Sequence, residues 1–431
     1  MLELDSGQPF DARQASEFFE ALPSRPGVLL LEMQDVSAQP YLARTADIRR
    51  AAERLLRAPE TVSKRLNLRE VAAGIRYRVT GSKFEQTLAM YAQARKNFPH
   101  RYRDLTRLRP SAMLKVNLRN EYPRCYVTRQ IRADGGFYFG PFSSRRAAEA
   151  FSEAFLDLFK IRRCQIRIRR DPAFPGCIYS EMKMCLAPCF AGCSKQEYDV
   201  EVGRVLETLE TAGLFLTREI AGQREAASEA LDFEKAAALH KRLDKVSATL
   251  RGWGELTRRI EEIDAVILQR GAEDKTIVAF PVHAGILAEP LFLRFGELSS
   301  EPKSVEGILR KVLEPRSQTE QESSAHHKRK SVESDRDSQP EMLSNSPDSA
   351  VEPADLPQAY RAQYGLQSAP PELAEHLSLL SRWFYSKPRD GEILFRDRGW
   401  PYRRILRACA RVLGTAATPS RTPKPGPRAG K

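Results

Sequence analysis

The sequence predicts an α+β multidomain protein, and three observations carry that reading. Its 431 residues are enough for two to four domains, at roughly 100 to 200 residues each. The first hundred residues alternate short apolar strands with amphipathic helices, whereas the chain beyond Ser194 turns to long helices with Leu and Ala on their faces. A block rich in arginine and cysteine lies between the two.

Residues 16–105 read as a small α/β unit. Pro26 to Leu31 is a short apolar strand, Tyr41 to Ala43 a second, and Ile48 to Leu56 a helix with Ala51, Ala52, Leu55 and Leu56 at helical spacing. Ile75 to Thr80 alternates as a strand does, and the helix that starts at Ser82 must end before Pro99, whose ring blocks its continuation. Residues 106–193 form a basic, Cys-rich region with a strand pair near Cys125–Thr128 and Gly136–Phe139, followed by a helix from Arg145 to about Phe159. Residues 194–262 are helical and open on Ser194-Lys195-Gln196-Glu197, a capping box that satisfies two free N–H groups of the first turn. A small β-rich segment is expected over 263–313, with strands at Ala265–Leu268 and Thr276–Phe280. Residues 314–355 carry too little apolar surface to repay ordering and read as a disordered linker. Residues 356–413 show helical patterning with Trp383, Phe384, Tyr385 and Trp400, and 414–431 is a basic, Pro-rich tail expected to be disordered.

Charge narrows the function. Lys and Arg outnumber Asp and Glu by 69 to 56, and residues 101–170 alone hold 17 basic against 6 acidic side chains. A surplus confined to one sixth of the chain suits a surface that meets a polyanion better than general solubility. No apolar run approaches the ~18 residues of a membrane span, and the acidic start Met1-Leu2-Glu3-Leu4-Asp5 is unlike a signal peptide. A cytoplasmic protein with a polyanionic partner and no membrane association is expected.

Six of the seven cysteines fall between Cys125 and Cys193. Cys164, Cys177, Cys185 and Cys189 are separated by 12, 7 and 3 residues. Four thiolates suit a tetrahedral zinc ion or a four-iron cluster, since both take soft ligands from four directions. The spacing lacks the paired knuckles of a zinc ribbon, and buried free thiols are the other reading.

These residues also carry a resemblance. Phe159-Lys160-Ile161-Arg162-Arg163-Cys164, Cys177-Ile178-Tyr179, Met184-Cys185-Leu186-Ala187-Pro188-Cys189 and, upstream, Tyr138-Phe139-Gly140-Pro141-Phe142 together resemble the central region of the UvrC-type subunit of the bacterial excision-repair nuclease. The resemblance implies an iron-sulfur cluster, four-iron in type and with zinc as the alternative, held by Cys164, Cys177, Cys185 and Cys189. Leu231-Asp232-Phe233-Glu234-Lys235-Ala236-Ala237 is similar to the UVR motif, through which such proteins dock on UvrB. It assigns partner contacts to Leu231, Phe233, Glu234, Ala236 and Ala237. A self-contained hairpin with Phe233 in its own core is the alternative. Ala226, Ala230, Ala236 and Ala237 are expected to let the two helices approach closely.

Residues 16–105 resemble the GIY-YIG nuclease domain, with departures at the positions that do the chemistry. The first motif's tyrosine is Leu29, Tyr41-Leu42-Ala43 replaces the second motif, Arg44 stands at its lysine, and the arginine and later tyrosine fall on Ala51 and Leu55. The metal-binding glutamate falls on Met90 or, one residue shifted, on Tyr91, and neither binds a hard cation. Tyr41 and Arg44 remain as catalytic remnants, with Mg²⁺ or Mn²⁺ implied only for an active nuclease. The 118 residues after 313 leave too little room for the second nuclease domain and the helix-hairpin-helix units of the family. The expectation is a degenerate, truncated UvrC-like repair protein, accessory in role. It would bind DNA through Arg124, Arg145, Arg146, Lys160, Arg162 and Arg163. Two alternatives stand beside it: an active metal-dependent endonuclease using Tyr41, Arg44, Arg50 and a carboxylate such as Glu85, and a cluster-bearing scaffold that binds no DNA.

Overall fold

The computed structural model describes residues 2–58, 66–296, 305–314 and 370–414. It begins with β1 (Ser6–Pro9), α1 (Ala15–Ala21), β2 (Gly27–Met33), β3 (Tyr41–Thr45), α2 (Ile48–Leu56), β4 (Ala72–Val79), α3 (Lys83–Asn97) and the single turn α4 (Tyr102–Leu105). The strands form an antiparallel sheet in the order β1-β4-β2-β3. Its two faces explain the unbroken apolar run of β2, because Leu29 and Leu31 pack under α1 and α2 while Val28 and Leu30 face Ala89 and Met90 of α3. Asp47 starts α2 by accepting the Arg50 N–H at 2.9 Å, and Ser82 starts α3 by accepting that of Glu85 at 3.1 Å.

The second layer holds β5 (Ala112–Val116), β6 (Cys125–Thr128), β7 (Phe137–Phe142), α5 (Arg145–Leu156), the turn α6 (Ile178–Glu181), α7 (Lys195–Glu210), α8 (Leu214–Glu229), α9 (Phe233–Leu250) and β8 (Arg258–Arg259). The sheet runs β6-β5-β7-β8. Leu114, Val116, Phe137 and Phe139 meet α5 and α7 to α9 on one face, while Met113 and Tyr138 face the third layer. The expected capping box at Ser194 is present, with the Ser194 N–H donating to Glu197 Oε2 at 2.7 Å.

The third layer is β9 (Ala265–Arg270), β10 (Thr276–His283), β11 (Ile286–Leu287), β12 (Leu291–Arg294), α10 (Val305–Leu313), α11 (Leu373–Phe384), β13 (Glu392–Phe395) and α12 (Tyr402–Gly414). Here the structure departs from the sequence reading, which set 356–413 apart from 263–313. β13 pairs antiparallel with β9, Glu392 opposite Leu268 and Phe395 opposite Ala265. α11 covers Ile267, Val278 and Phe280 on one face of the sheet, and α10 and α12 cover Val266, Leu268 and Ile277 on the other. Both segments therefore build one sandwich, and Trp383, Phe384 and Trp400 belong to its core. Apart from Glu314 and Gly414, the expected linker over 314–355 and the tail over 414–431 lie outside the described residues, as do 356–369.

The first and third layers touch closely. A Cβ on Gly81 would stand 2.1 Å from the Gly271 carbonyl carbon, so glycine is required where these backbones meet. Next to that contact Phe84 of α3 packs edge-on to Phe280 of β10 at 5.1 Å.

Candidate functional site

The nuclease-like positions are filled mostly by core residues. Leu29 sits opposite Ala43 and Tyr77 in the sheet, and Leu29, Ala51 and Leu55 are buried in the core under α1 and α2, with Tyr41 and Ala43 packed against it. Successive strand residues point to opposite faces, so Arg44 lies across the sheet from Tyr41 and donates from Nη1 to Thr87 Oγ1 of α3 at 3.2 Å. The two remnants do not converge on one point. Met90 is buried against Val28 and Leu30, on the α3 side of the sheet.

Tyr91 has another occupation. Its hydroxyl donates to Glu375 Oε2 of α11 at 2.5 Å, while Glu375 Oε1 accepts from Tyr102 at 2.6 Å and from Arg103 Nε at 2.9 Å. Burial alone would hinder ionisation of Glu375, but the hydroxyls of Tyr102 and Tyr91 and the Arg103 guanidinium outweigh it and hold the carboxyl below its ordinary range. Beside it Arg95 Nη2 pairs with Glu372 at 2.6 Å. Position 91 thus joins two layers. Glu85, 1% exposed, accepts the Gly81 N–H at 2.8 Å and lies 3.6 Å from Arg78. Burial pushes its pKa up, with the Gly81 bond and Arg78 acting against that shift.

The cysteine region is a loop stitched to its flanks. The Leu186 N–H donates to the Lys160 carbonyl and the Asp171 N–H to the Cys189 carbonyl, each at 2.9 Å. Ala187 and Ala191 take left-handed conformations on either side of the turn Pro188–Phe190. Burial first, and then Cys164, Cys177 and Cys189, push the Cys185 thiol up to about 11. Burial, Cys177 and Cys164 likewise raise Cys189. Among the described residues, no three Cys, His, Asp or Glu side chains stand close enough together to hold a metal ion. Thiols are the donor type of a soft metal or an iron-sulfur cluster, but these four do not stand at ligand distance of one centre. Cys125 and Cys193 belong to the second-layer core and Cys409 to the third.

Of the basic candidates, Arg145 and Arg146 are exposed in the first turn of α5, and Arg145 pairs with Glu149 at 2.6 Å. Lys160 is exposed beyond the other end of that helix, whose twelve residues make it about 18 Å long. Arg124 lies over the Tyr126 ring at 4.4 Å. Arg162 is a correction to the sequence reading. It is buried, and its guanidinium donates to the carbonyls of Tyr122 at 2.7 Å and Ile166 at 2.8 Å, so it braces the loop and does not face a phosphate. Arg163 is largely covered and paired with Asp157 at 2.8 Å. Sequence reasoning passes over Arg107, Arg109 and Arg129, which share a surface cavity with Arg145; the Arg107-Leu108-Arg109 run is the one local signal.

The α8–α9 hairpin presents its tip outward. Leu231 adopts a left-handed φ of 59° and Asp232 accepts the Lys235 N–H at 3.1 Å. Leu231 is 71% and Phe233 68% exposed, so Phe233 is no part of the hairpin's own core. Glu234 and Ala237 are exposed and Ala236 half-buried. The small residue buried between these helices is Ala227, whereas Ala226 and Ala230 face solvent.

Comparison with known proteins follows the same outline. Residues 112–208 match the UvrC/Cho excinuclease middle domain. The chain is similar to the UvrABC system protein C of Ruminiclostridium cellulolyticum, 30% identical over 44% of this chain and 31% of that protein. It is also similar to those of Clostridium tetani, 25% identical over 62% of this chain and 43% of the relative, and of Oleidesulfovibrio alaskensis, 29% identical over 57% and 35%. It therefore spans about a third to under a half of the length of these curated relatives. No solved structure matches it significantly. The chain is thus similar to UvrC-type proteins in the middle domain and, through the UvrABC system protein C relatives, beyond it.

Proposed function

We propose that this chain serves nucleotide excision repair as an accessory, DNA-binding protein that docks a UvrB-type partner and does not itself cut. The observation that carries the accessory role is the burial of Leu29, Ala51, Leu55 and Met90 at the nuclease-like positions. Phosphodiester hydrolysis needs a base, a cation and donors at the scissile phosphate, and apolar core side chains supply none of these. Glu85 is committed to Gly81 and Arg78 and does not replace the missing carboxylate.

Arg124, Arg145, Arg146 and Lys160 are the residues we assign to the DNA backbone. With four phosphates neutralised, log K falls with log salt at a slope of about −4. The exposed Leu231 and Phe233 supply the apolar anchor for the partner, flanked by Glu234, Ala236 and Ala237. Cys164, Cys177, Cys185 and Cys189 are the proposed ligands of an iron-sulfur cluster, which would lock the loop between α5 and α7 and leave the DNA contacts to the surrounding cations. No helix among the described residues is long and apolar enough to cross a membrane, and we place the protein in the cytoplasm with its DNA.

The deciding experiment incubates the purified chain on lesion-bearing duplex with Mg²⁺ or Mn²⁺, with and without a UvrB-type partner. Binding without strand cleavage is expected. A cut that Tyr41→Phe abolishes would overturn the accessory role, and a salt slope near zero would overturn the DNA contact.

A further inference from the structure

A cavity of about 290 Å³ opens where the chain leaves α4, where β7 passes into α5, and where α11 crosses both. Five arginines line it: Arg107 and Arg109 from the segment before β5, Arg129 after β6, Arg145 at the start of α5 and Arg382 from α11. Five serines complete the polar lining and no carboxylate takes part. Only Arg145 has an acidic partner, Glu149, among the ion pairs of the described residues that involve these five. Like charges this close repel one another, so a cavity built this way gains most from a compact anion.

The site is built. Arg382 is fixed by donating from Nη1 to the Thr106 carbonyl at 3.0 Å and from Nη2 to the Arg107 carbonyl at 2.7 Å. Ser378 Oγ, buried on the same helix, donates to the Arg109 carbonyl at 2.6 Å, so α11 holds the 106–109 segment in place. Burial, and then the charges of Arg44 and Arg109, push the Arg382 pKa down, which places Arg44 of the nuclease-like sheet in the same positive field. Arginine nevertheless stays charged at neutral pH. Ser144 caps α5 by accepting the Ala147 N–H at 3.1 Å, and the positive end of that twelve-residue helix faces the cavity rim.

We infer that this cavity binds a terminal phosphate of a nucleic-acid strand. Its size and its surplus of guanidinium groups suit a phosphomonoester, which carries about two negative charges, better than a diester, which carries one. A guanidinium fork is also the group that matches phosphate oxygens two at a time. The inference deepens the proposed DNA contact and rests on it for the source of the phosphate; the two share Arg145, but neither Arg124 nor Lys160 lines the cavity and neither Arg109 nor Arg129 is among the backbone contacts, so those residues separate them.

The test measures binding by fluorescence anisotropy of labelled oligonucleotides carrying a 5′-phosphate, a 3′-phosphate or hydroxyls at both ends, with inorganic phosphate as competitor and sulfate at equal ionic strength as control. One phosphorylated end is expected to bind at least about tenfold tighter than the hydroxyl form. Arg109→Gln and Arg129→Gln, which remove exposed guanidiniums without touching the Arg382 contacts, should erase that preference. Arg124→Gln should weaken all three oligonucleotides equally and keep it. Equal affinity for the three ends, with duplex binding intact, overturns the inference and leaves the DNA contact standing. Inorganic phosphate that raises the melting temperature of the wild type but not of Arg109→Gln, with no preference for either phosphorylated end, shows a phosphate site and overturns the strand end as its occupant. No nucleic-acid binding at all overturns both readings.

Discussion

Replacing Glu375 by alanine tests whether the segment after residue 370 is part of the fold or an appendage. The carboxylate is 7% exposed and accepts bonds from Tyr91, Tyr102 and Arg103. Hydrogen bonds to a charged group contribute about 1.5–3 kcal/mol each. Tyr102 and Arg103 lie nearer the surface and regain water, so most of the loss falls on Tyr91, whose ring is buried. Arg95 Nη1, at 3.5 Å, is the only other partner of the Tyr91 hydroxyl that the structure offers among the described residues. Glu375→Ala should therefore cost about 3 kcal/mol, and Glu375→Gln, which keeps one acceptor oxygen, about half of that. Urea unfolding followed by tryptophan fluorescence reads the effect, since Trp383 lies on the same helix. Tyr91→Phe combined with Glu375→Gln should show a coupling of about 1 kcal/mol. The folded carboxyl titrates below its unfolded value, so its stabilisation is complete above the ordinary carboxylate range and is lost as pH falls through the depressed folded value. Wild type and Glu375→Gln should accordingly converge in acid. A loss below about 0.5 kcal/mol for Glu375→Ala, or strict additivity with Tyr91→Phe, would refute the bridge between α3 and α11.

Three further outcomes are expected. Phe233→Ser should change stability by no more than about 0.5 kcal/mol, because the ring is 68% exposed, yet weaken capture of a UvrB-type partner by at least tenfold in a pull-down titration or calorimetry. Arg162→Met should destabilise the chain by about 2–4 kcal/mol in denaturant, by stranding the Tyr122 and Ile166 carbonyls, while leaving the salt slope of DNA binding unchanged. Anaerobic purification should give a brown protein with iron and sulfide that is lost in Cys185→Ser, and a colourless protein with one zinc would refute the iron assignment.

The first unit was legible in the sequence because local signals agree there. The helix expected over Ile48 to Leu56 is α2 residue for residue, since Asp47 caps it and its apolar spacing repeats cleanly. The strand expected at Ile75–Thr80 begins three residues earlier, where Ala72 and Gly74 carry no strand signature of their own. β5 escaped altogether: Ala, Met, Leu and Lys favour helices, and only the neighbouring β6 and β7 make this run a strand. β13 is four residues long inside helical patterning, too short for periodicity to separate it. In the site, the exposed hairpin tip follows the motif at Leu231–Ala237, whereas the spacing of the four cysteines does not by itself bring their sulfurs to ligand distance. The role of Tyr91 was not legible, because its partner lies 284 residues away in sequence. Arg162 misled for a related reason: a guanidinium in a basic run looks like a surface charge until the carbonyls around it are seen.

The β9–β13 pair sets a condition on how the chain is made. During synthesis β9 emerges with an unpaired edge and apolar side chains on both faces, and β13, α11 and α12, which complete their cover, are encoded far downstream. Until then that edge is open to strands of other chains. A product cut short before α11 would keep the charged surface around α5 and the hairpin tip yet carry a sticky, half-covered sheet, and it should aggregate before it could work. The third layer thus acts as a checkpoint on completeness: the first layer gains the hydrogen bonds of Glu375, and the arginine cavity its Arg382, only in a chain translated through α11.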